Sequence, residues 1–365
     1  MHRSDQDSEP SEERHSPAFS VIVPVFNAAP FLRECLDSIR KQTTEDWECI
    51  CVDDGSTDDS PAILDDYAAR DRRFRIFHQP NQGESSARNH ALDEIAGTWF
   101  TFVDADDAIV PDALECFRRA LAESDADALL CYPEDRFLGI EDYRTAPPGY
   151  RLLARDQAPV EMLAGPFSAH GYTVSKTYRT ALFRTVRFPV GVRVTPDTRF
   201  WADALCVPAR WAVIDKPYYA YRIHPGAVTS TKDFRFYREC IESYGYVFRA
   251  MSERMKATRS DVSRYAARYR TLHSHMAYNA FREWRSYTRQ ERRRLFETVA
   301  DACAAASPVF PFRLTTRLRL YGWHTGLAPL FVLLANFIDR IELSVRYRWG
   351  RFLAFLGLRS GASSQ

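Results

Sequence analysis

The sequence predicts an α/β protein: a doubly wound, mainly parallel sheet followed by a helical C-terminal extension. Three observations carry that prediction. Apolar runs of strand length alternate with helix-length stretches through residues 19–123. Those runs are apolar nearly throughout, as strands buried on both faces require, instead of alternating with polar residues. Beyond Asp233 the pattern changes to aromatics interleaved with arginines at helical spacing.

Taken in order, residues 19–26 form the first strand and 31–42 the first helix. A second strand is read at 47–52. The helix that follows starts after Thr57, which is placed to cap it ahead of Asp58, Asp59 and Pro61. The third strand is expected at 74–78 and the third helix at 85–95. The fourth strand follows at 99–103, and the fourth helix, opened by Pro111, at 112–123. Short connections between alternating elements imply parallel pairing. From 132 to 169 the regularity breaks at Pro133, Pro147, Pro148, Gly149, Pro159 and Pro166, which marks an insertion. Regular structure resumes at 172–184, then in a helix near Thr198 and a strand at 211–214.

Composition excludes several classes. With 45% hydrophobic residues among 365, the chain builds a full core and is neither disordered nor fibrous. Forty-nine basic against 48 acidic side chains leave a net charge of +1, which gives no footing for non-specific nucleic-acid binding. The eight cysteines show no CxxC pair and sit in apolar runs, so they read as buried thiols in a reducing compartment. Cys49 and Cys51 would face one side of a strand. Residues 1–17 are polar, aperiodic and without an apolar signal segment. A disordered leader and a cytoplasmic location are the expectation.

The most informative stretch is Thr101-Phe102-Val103-Asp104-Ala105-Asp106-Asp107, an apolar strand ending in three carboxylates. Acids one residue apart, just beyond a buried strand, can converge on a hard divalent cation. A second acidic strand end, Val52-Asp53-Asp54-Gly55-Ser56-Thr57-Asp58, lies upstream. In a parallel sheet both tips emerge at the carboxyl ends, where open α/β sheets bind ligands. A metal with an anionic partner such as a nucleotide diphosphate fits that setting.

These two motifs, with Val23-Pro24-Val25-Phe26-Asn27 before them and Asn81-Gln82-Gly83 and Ala87-Arg88-Asn89 between, occur in the order that resembles the family 2 glycosyltransferases. The resemblance covers roughly residues 20–229. It implies a Rossmann-like GT-A fold and inverting transfer of a sugar from a nucleotide diphosphate sugar, here a UDP-sugar, to a glycan or lipid-linked acceptor. It further implies a Mn²⁺ or Mg²⁺ cofactor and a role in cell-surface polysaccharide synthesis. On this reading Pro24, Phe26, Asn27 and Asp54 form the nucleobase site, with Phe26 standing where uridine-using members often carry tyrosine. Arg88 reaches a phosphate or steadies the acidic cluster, Arg222 pairs with phosphate, Asp104 contacts ribose or metal, and Asp106 and His224 hold the metal. Asp197 matches the aspartate of a family Glu-Asp pair and is the expected base, with Pro196 replacing the glutamate. Lys176 lies where members often have a lysine.

Plainer readings stand beside these. Phe26 would serve as a core residue, Asp54 and Asp107 as turn or cap residues, Arg88 and Lys176 as surface cations, and Asp197 as a helix cap. An alternative function is a nucleotide-sugar-binding, catalytically weak subunit of a membrane assembly complex, for which Pro196 is the hint. The expected division is a leader over 1–17, the glycosyltransferase domain over 18–232, a helical region over 233–320 and an amphipathic tail over 321–365. In that tail an apolar run over 327–338, too short to span a bilayer, precedes Arg340, Arg346, Arg348 and Arg351 set among aromatics. Peripheral contact with an anionic membrane through 323–358 is one reading, and packing on the protein's own core the other.

Overall fold

The structure, a computed structural model, describes residues 16–134, 149–153, 172–222, 224, 233–258, 276, 279–280, 283 and 286–306. The chain divides into two compact units, one of residues 1–231 with 250–265, the other of 232–249 with 266–365. The expected leader (apart from Ser16 and Pro17) and the tail over 321–365 lie outside the described residues, as does most of 133–170.

The first unit is built on one sheet. Its strands are β1 (Phe19–Val25), β2 (Trp47–Asp53), β3 (Phe74–His78), β4 (Trp99–Phe102), β5 (Ala108–Ile109), β6 (Ala128–Glu134), β7 (Tyr150–Leu153), β8 (Lys176–Arg179) and β9 (Trp211–Ala220). Their order is β3-β2-β1-β4-β8-β6-β9-β5, with β7 pairing β9. The quartet β3-β2-β1-β4 is parallel, as the strand-helix alternation predicts. Beyond it the sheet is mixed: β8 runs antiparallel to both β4 and β6, and β5 and β7 run antiparallel to β9. A strand, β7, thus stands inside the segment whose prolines suggested irregularity.

Helices α1 (Ala29–Arg40), α2 (Ser60–Arg70), α3 (Glu84–Glu94) and α4 (Ala113–Ser124) alternate with the early strands. The short α5 (Thr180–Phe183) and α6 (Pro196–Cys206) follow. β1 and β2 are buried over all seven residues of each, which explains their continuous apolar runs. Two of the polar exceptions, Ser20 and Glu48, face each other across the register and satisfy each other, while the third, Asp53, ends β2 and accepts from Ser56 N. Ser20 Oγ donates to Glu48 at 2.6 Å, and Glu48 also accepts from Ala96 N and Arg75. Pro24 is tolerated in a central strand because pairing of β1 with β4 ends at Ile22. Ile22 already turns its carbonyl to Val103 on that side, so the N–H that Pro24 lacks leaves no ladder bond unmade.

The cap of α2 differs from expectation. Thr57 turns its backbone N–H to Asn27 Oδ1, and the capping carboxylate is Asp58, which accepts from Ser60 N of α2 and from Ala29 N of α1, each at 3.0 Å. The described cysteines are free thiols; Cys35, Cys49 and Cys51 are fully buried, as the core reading requires.

The second unit contains most of α7 (Phe234–Thr258) and α8 (Arg289–Ala306). Asp233 accepts from Phe236 N at the start of α7, and Thr288 with Glu291 forms a reciprocal capping box at the start of α8. No helix among the described residues is long and apolar enough to cross a membrane.

Candidate active site

Strand order reverses at β1, which has β2 on one side and β4 on the other. That switch point opens a crevice at the carboxyl ends of the strands, and the motif residues lie along it. Phe26, the first residue beyond β1, is 51% exposed, so the core reading is excluded and an apolar face is presented at the crevice. Asn27 follows with φ of 48°, a left-handed backbone that Asn tolerates. Its N–H donates to Ser56 Oγ and its Oδ1 accepts from Thr57 N, so the ends of β1 and β2 are tied together.

Asp54 is 2% exposed. Its Oδ1 accepts from Gln79 Nε2 and Gln82 N, and its Oδ2 from Gly83 N at 2.7 Å. Three of the four lone-pair positions of the carboxylate are therefore filled within the chain, leaving one for a ligand. Gly83 caps α3 at φ of 90°, a conformation that strains any residue with a Cβ. The Asp54 carboxylate thus sets where α3 begins.

One helical turn into α3, Arg88 is not a surface cation: it is 1% exposed. Its Nη1 donates to Asp197 and its Nη2 to Asp104, both at 2.7 Å, and Nη2 also pairs with Glu84 at 2.8 Å. The guanidinium carbon lies 5.1 Å from the centre of the Phe188 ring. Burial alone would push this guanidinium down, but Asp197, Glu84 and Asp104 outweigh it and hold Arg88 charged. Of the two roles expected of Arg88, these bonds are those of a residue that steadies the acidic cluster.

Asp197 sits in the first turn of α6 but does not cap it. The N-cap is Thr195, held at φ of 61°, and Pro196 occupies the first turn, where a missing N–H costs nothing. Side chains of Asp197 and Asp104 remain 21% and 25% exposed, so both reach solvent from either side of Arg88.

At the third acidic position, Asp106 Oδ2 lies 2.9 Å from His224 Nε2, with the two side chains 34% and 20% exposed. Among the described residues no three His, Cys, Asp or Glu side chains form a metal cage. The pair nonetheless fits a cation that takes one carboxylate and one imidazole and completes its shell with substrate phosphate and water. Asp107 does not cap α4, whose N-cap is Asp112. Instead Asp107 accepts from Tyr219 OH at 2.5 Å and from Arg222 N at 2.7 Å. Burial, together with the charge of Asp106, pushes its carboxyl up to about 7 against those bonds. Arg222 braces the same corner: Nε donates to the Asp106 carbonyl and Nη2 to Glu34 of α1.

Residues 20–181 match the family model described as glycosyl transferase family 2. Over 243 residues the chain is 30% identical to glycosyltransferase GlyG of Streptococcus pneumoniae, spanning 63% of this chain and 79% of GlyG. The chain belongs to glycosyl transferase family 2. EpsH of Bacillus subtilis is 29% identical over 324 residues, 86% of this chain and 88% of EpsH. In fold the chain is similar to S. aureus TarS 1–349, solved in complex with UDP-GlcNAc, with a TM-score of 0.62 at 21% identity. That match covers 88% of this chain and 91% of the TarS fragment.

Two parts of this glycosyltransferase's site escape sequence reasoning. Glu84 and Tyr219 carry no motif, although the Glu84–Arg88 spacing of four is a helical ion-pair signal in itself. Lys176 is not the exposed cation of the plainer reading. It is 1% exposed, donates to the Tyr172 carbonyl, and lies 5.2 Å from the Trp201 ring, one turn beyond Asp197 on α6. Burial pushes its ammonium down to about 7, with Asp197 opposing.

Proposed function

We propose that this glycosyltransferase uses a UDP-sugar and transfers its sugar with inversion to a hydroxyl of a glycan or lipid-linked acceptor, with Mn²⁺ or Mg²⁺ bound, in cell-surface polysaccharide synthesis. The observation that carries the reading is the buried Arg88 fork, which draws Asp104 and Asp197 onto one cation from segments far apart in the chain. In this proposal Asp104 belongs to the donor side and Asp197 to the acceptor side. Asp197 accepts the proton of the attacking hydroxyl as its oxygen bonds to the anomeric carbon; the bond from that carbon to the diphosphate oxygen breaks, and its electron pair leaves with the nucleoside diphosphate.

The exposed ring of Phe26 suits stacking on a flat base, and the remaining lone pair of Asp54 suits the imide N–H of uracil. Pro24 and Asn27 shape the wall beside them. Support for a uridine donor comes from TarS, similar in fold, whose fragment was solved with UDP-GlcNAc. Asp106 and His224 would hold the cation, which when bound neutralises charge on the diphosphate. Arg88, whose Nη1 and Nη2 are held by carboxylates, then acts by fixing the two acids.

Asp197→Asn tests the assignment, because it keeps shape and removes the base. Transfer is expected to fall by about a hundredfold or more, while UDP-sugar binding measured by calorimetry is unchanged. Wild-type turnover in this variant would remove Asp197 from the mechanism. A wild-type protein that binds donor but never transfers would favour the binding-subunit alternative.

A further inference from the structure

Glu84 opens α3, and nothing in the proposed reaction so far uses it. Its Oε1 sits 2.8 Å from Nη2 of Arg88, while its side chain is 48% exposed. The same Nη2 meets Asp104, and Nη1 meets Asp197. Three carboxylates therefore share one buried guanidinium. The Nε–H of Arg88 is buried without a hydrogen-bond partner among the described residues. In-plane rotation of the fork is therefore set by what holds Nη1 and Nη2, since the Phe188 ring 5.1 Å away constrains the plane but not its rotation.

We propose that Glu84 is a positioning residue for transfer: it clamps Nη2 of Arg88 so that Nη1 is aimed at Asp197. This rests on the reading of Asp197 as the base. Of the two carboxylates on Nη2, Asp104 belongs to the strand end assigned to the donor and has a ligand to meet. Glu84 is fixed to the same helix as Arg88, one turn away, so its hold does not depend on substrate. Without it Nη2 is held by Asp104 alone, and the aim of Nη1 at Asp197 follows the donor-side carboxylate. The other groups bearing on Asp197 are Asp104 beyond β4 and Lys176 and Tyr178 of β8. Glu84 also feels Asp106 and Asp54.

The test compares wild type, Glu84→Gln, Glu84→Asp and Asp197→Asn in UDP-sugar transfer across pH, with melting temperature as the check on folding. Glu84→Gln is expected to lower kcat on the order of tenfold, with donor KM within about twofold. Glu84→Asp, which keeps the charge on a shorter stem, should recover part of kcat. A kcat superimposed on wild type across the pH range would overturn the proposal. So would raised donor KM at unchanged kcat, which would make Glu84 a donor contact. Full transfer by Asp197→Asn defeats the base reading itself; a dead Asp197→Asn beside a normal Glu84→Gln defeats only the role of Glu84.

Discussion

Lys176 carries an ammonium into a place where water cannot reach it. It opens β8 opposite Leu130 of β6, and its given partners are one carbonyl, that of Tyr172, and the face of Trp201. Burial without a full set of acceptors disfavours the charged form, which is why its ammonium is pushed down to about 7. The sign of the consequence follows from proton counting. Between about 7 and the ordinary lysine value near 10.4, the unfolded chain binds more protons than the folded one, so stability from this residue rises with pH across that window. Lys176→Met fills similar space and cannot ionise. Melting temperatures at pH 6 and pH 10 should show the variant gaining on wild type at pH 6 and losing most of that advantage at pH 10. An equal difference at both pH values would mean that the lysine stays charged inside the fold. Sequence alone could not place this residue, since burial of a lysine depends on what β6, β8 and α6 bring around it.

At the scale of elements, Asp58 shows how one side chain joins two helices. Its two oxygens take N–H groups from the first residues of α1 and α2, donors that have no intrahelical acceptor. Burial would raise its carboxyl, but the bonds from Ser60 and Ala29 outweigh it and hold the group below the ordinary aspartate range. A depressed folded pKa contributes stability that is present above the unfolded value near 3.9 and is lost as pH falls through the folded value. Asp58→Ala should therefore destabilise by about 1–2 kcal/mol at pH 7 in denaturant titration, with the gap to wild type closing as the pH falls from the ordinary aspartate value through the lower folded one. A gap independent of pH would assign the loss to packing and not to the charged cap. The motif that contains Asp58 was legible as strand end and helix start because both signals are local. Which of Thr57 and Asp58 does the capping was not, because the second helix served, α1, lies 29 residues away at Ala29. The same limit explains the mixed half of the sheet. The sequence announces a strand at 211–214 and only regular structure over 172–184, and the direction in which β8 and β9 join the sheet depends on how the chain travels between them.

Across the whole glycosyltransferase domain, the parallel quartet fixes the tips of β1, β2 and β4 along one edge, and all four sequence motifs fall there. That much was readable from the order of apolar runs and acids. The bond from Arg88 to Asp197 was not, since it joins residues 109 apart and needs the fold to bring α6 over α3. The arrangement has a thermodynamic consequence that tests the donor and metal assignments together. A ligand that binds only the folded state raises stability by RT ln(1 + [L]/Kd), about 2.7 kcal/mol at a hundredfold excess over Kd. UDP with Mn²⁺ should raise the melting temperature more than UDP alone, because on the proposed assignment Asp106 and His224 would hold a cation that neutralises diphosphate charge, and more than GDP with Mn²⁺, because Asp54 would offer its remaining lone pair to uracil. Asp106→Ala with His224→Ala should erase the metal increment while leaving the smaller shift with UDP alone. Phe26→Ala should reduce both shifts, since it removes the face on which the base rests. Equal shifts with UDP and GDP would transfer base recognition away from Asp54, and a metal increment that survives the double substitution would place the cation elsewhere along the acidic edge.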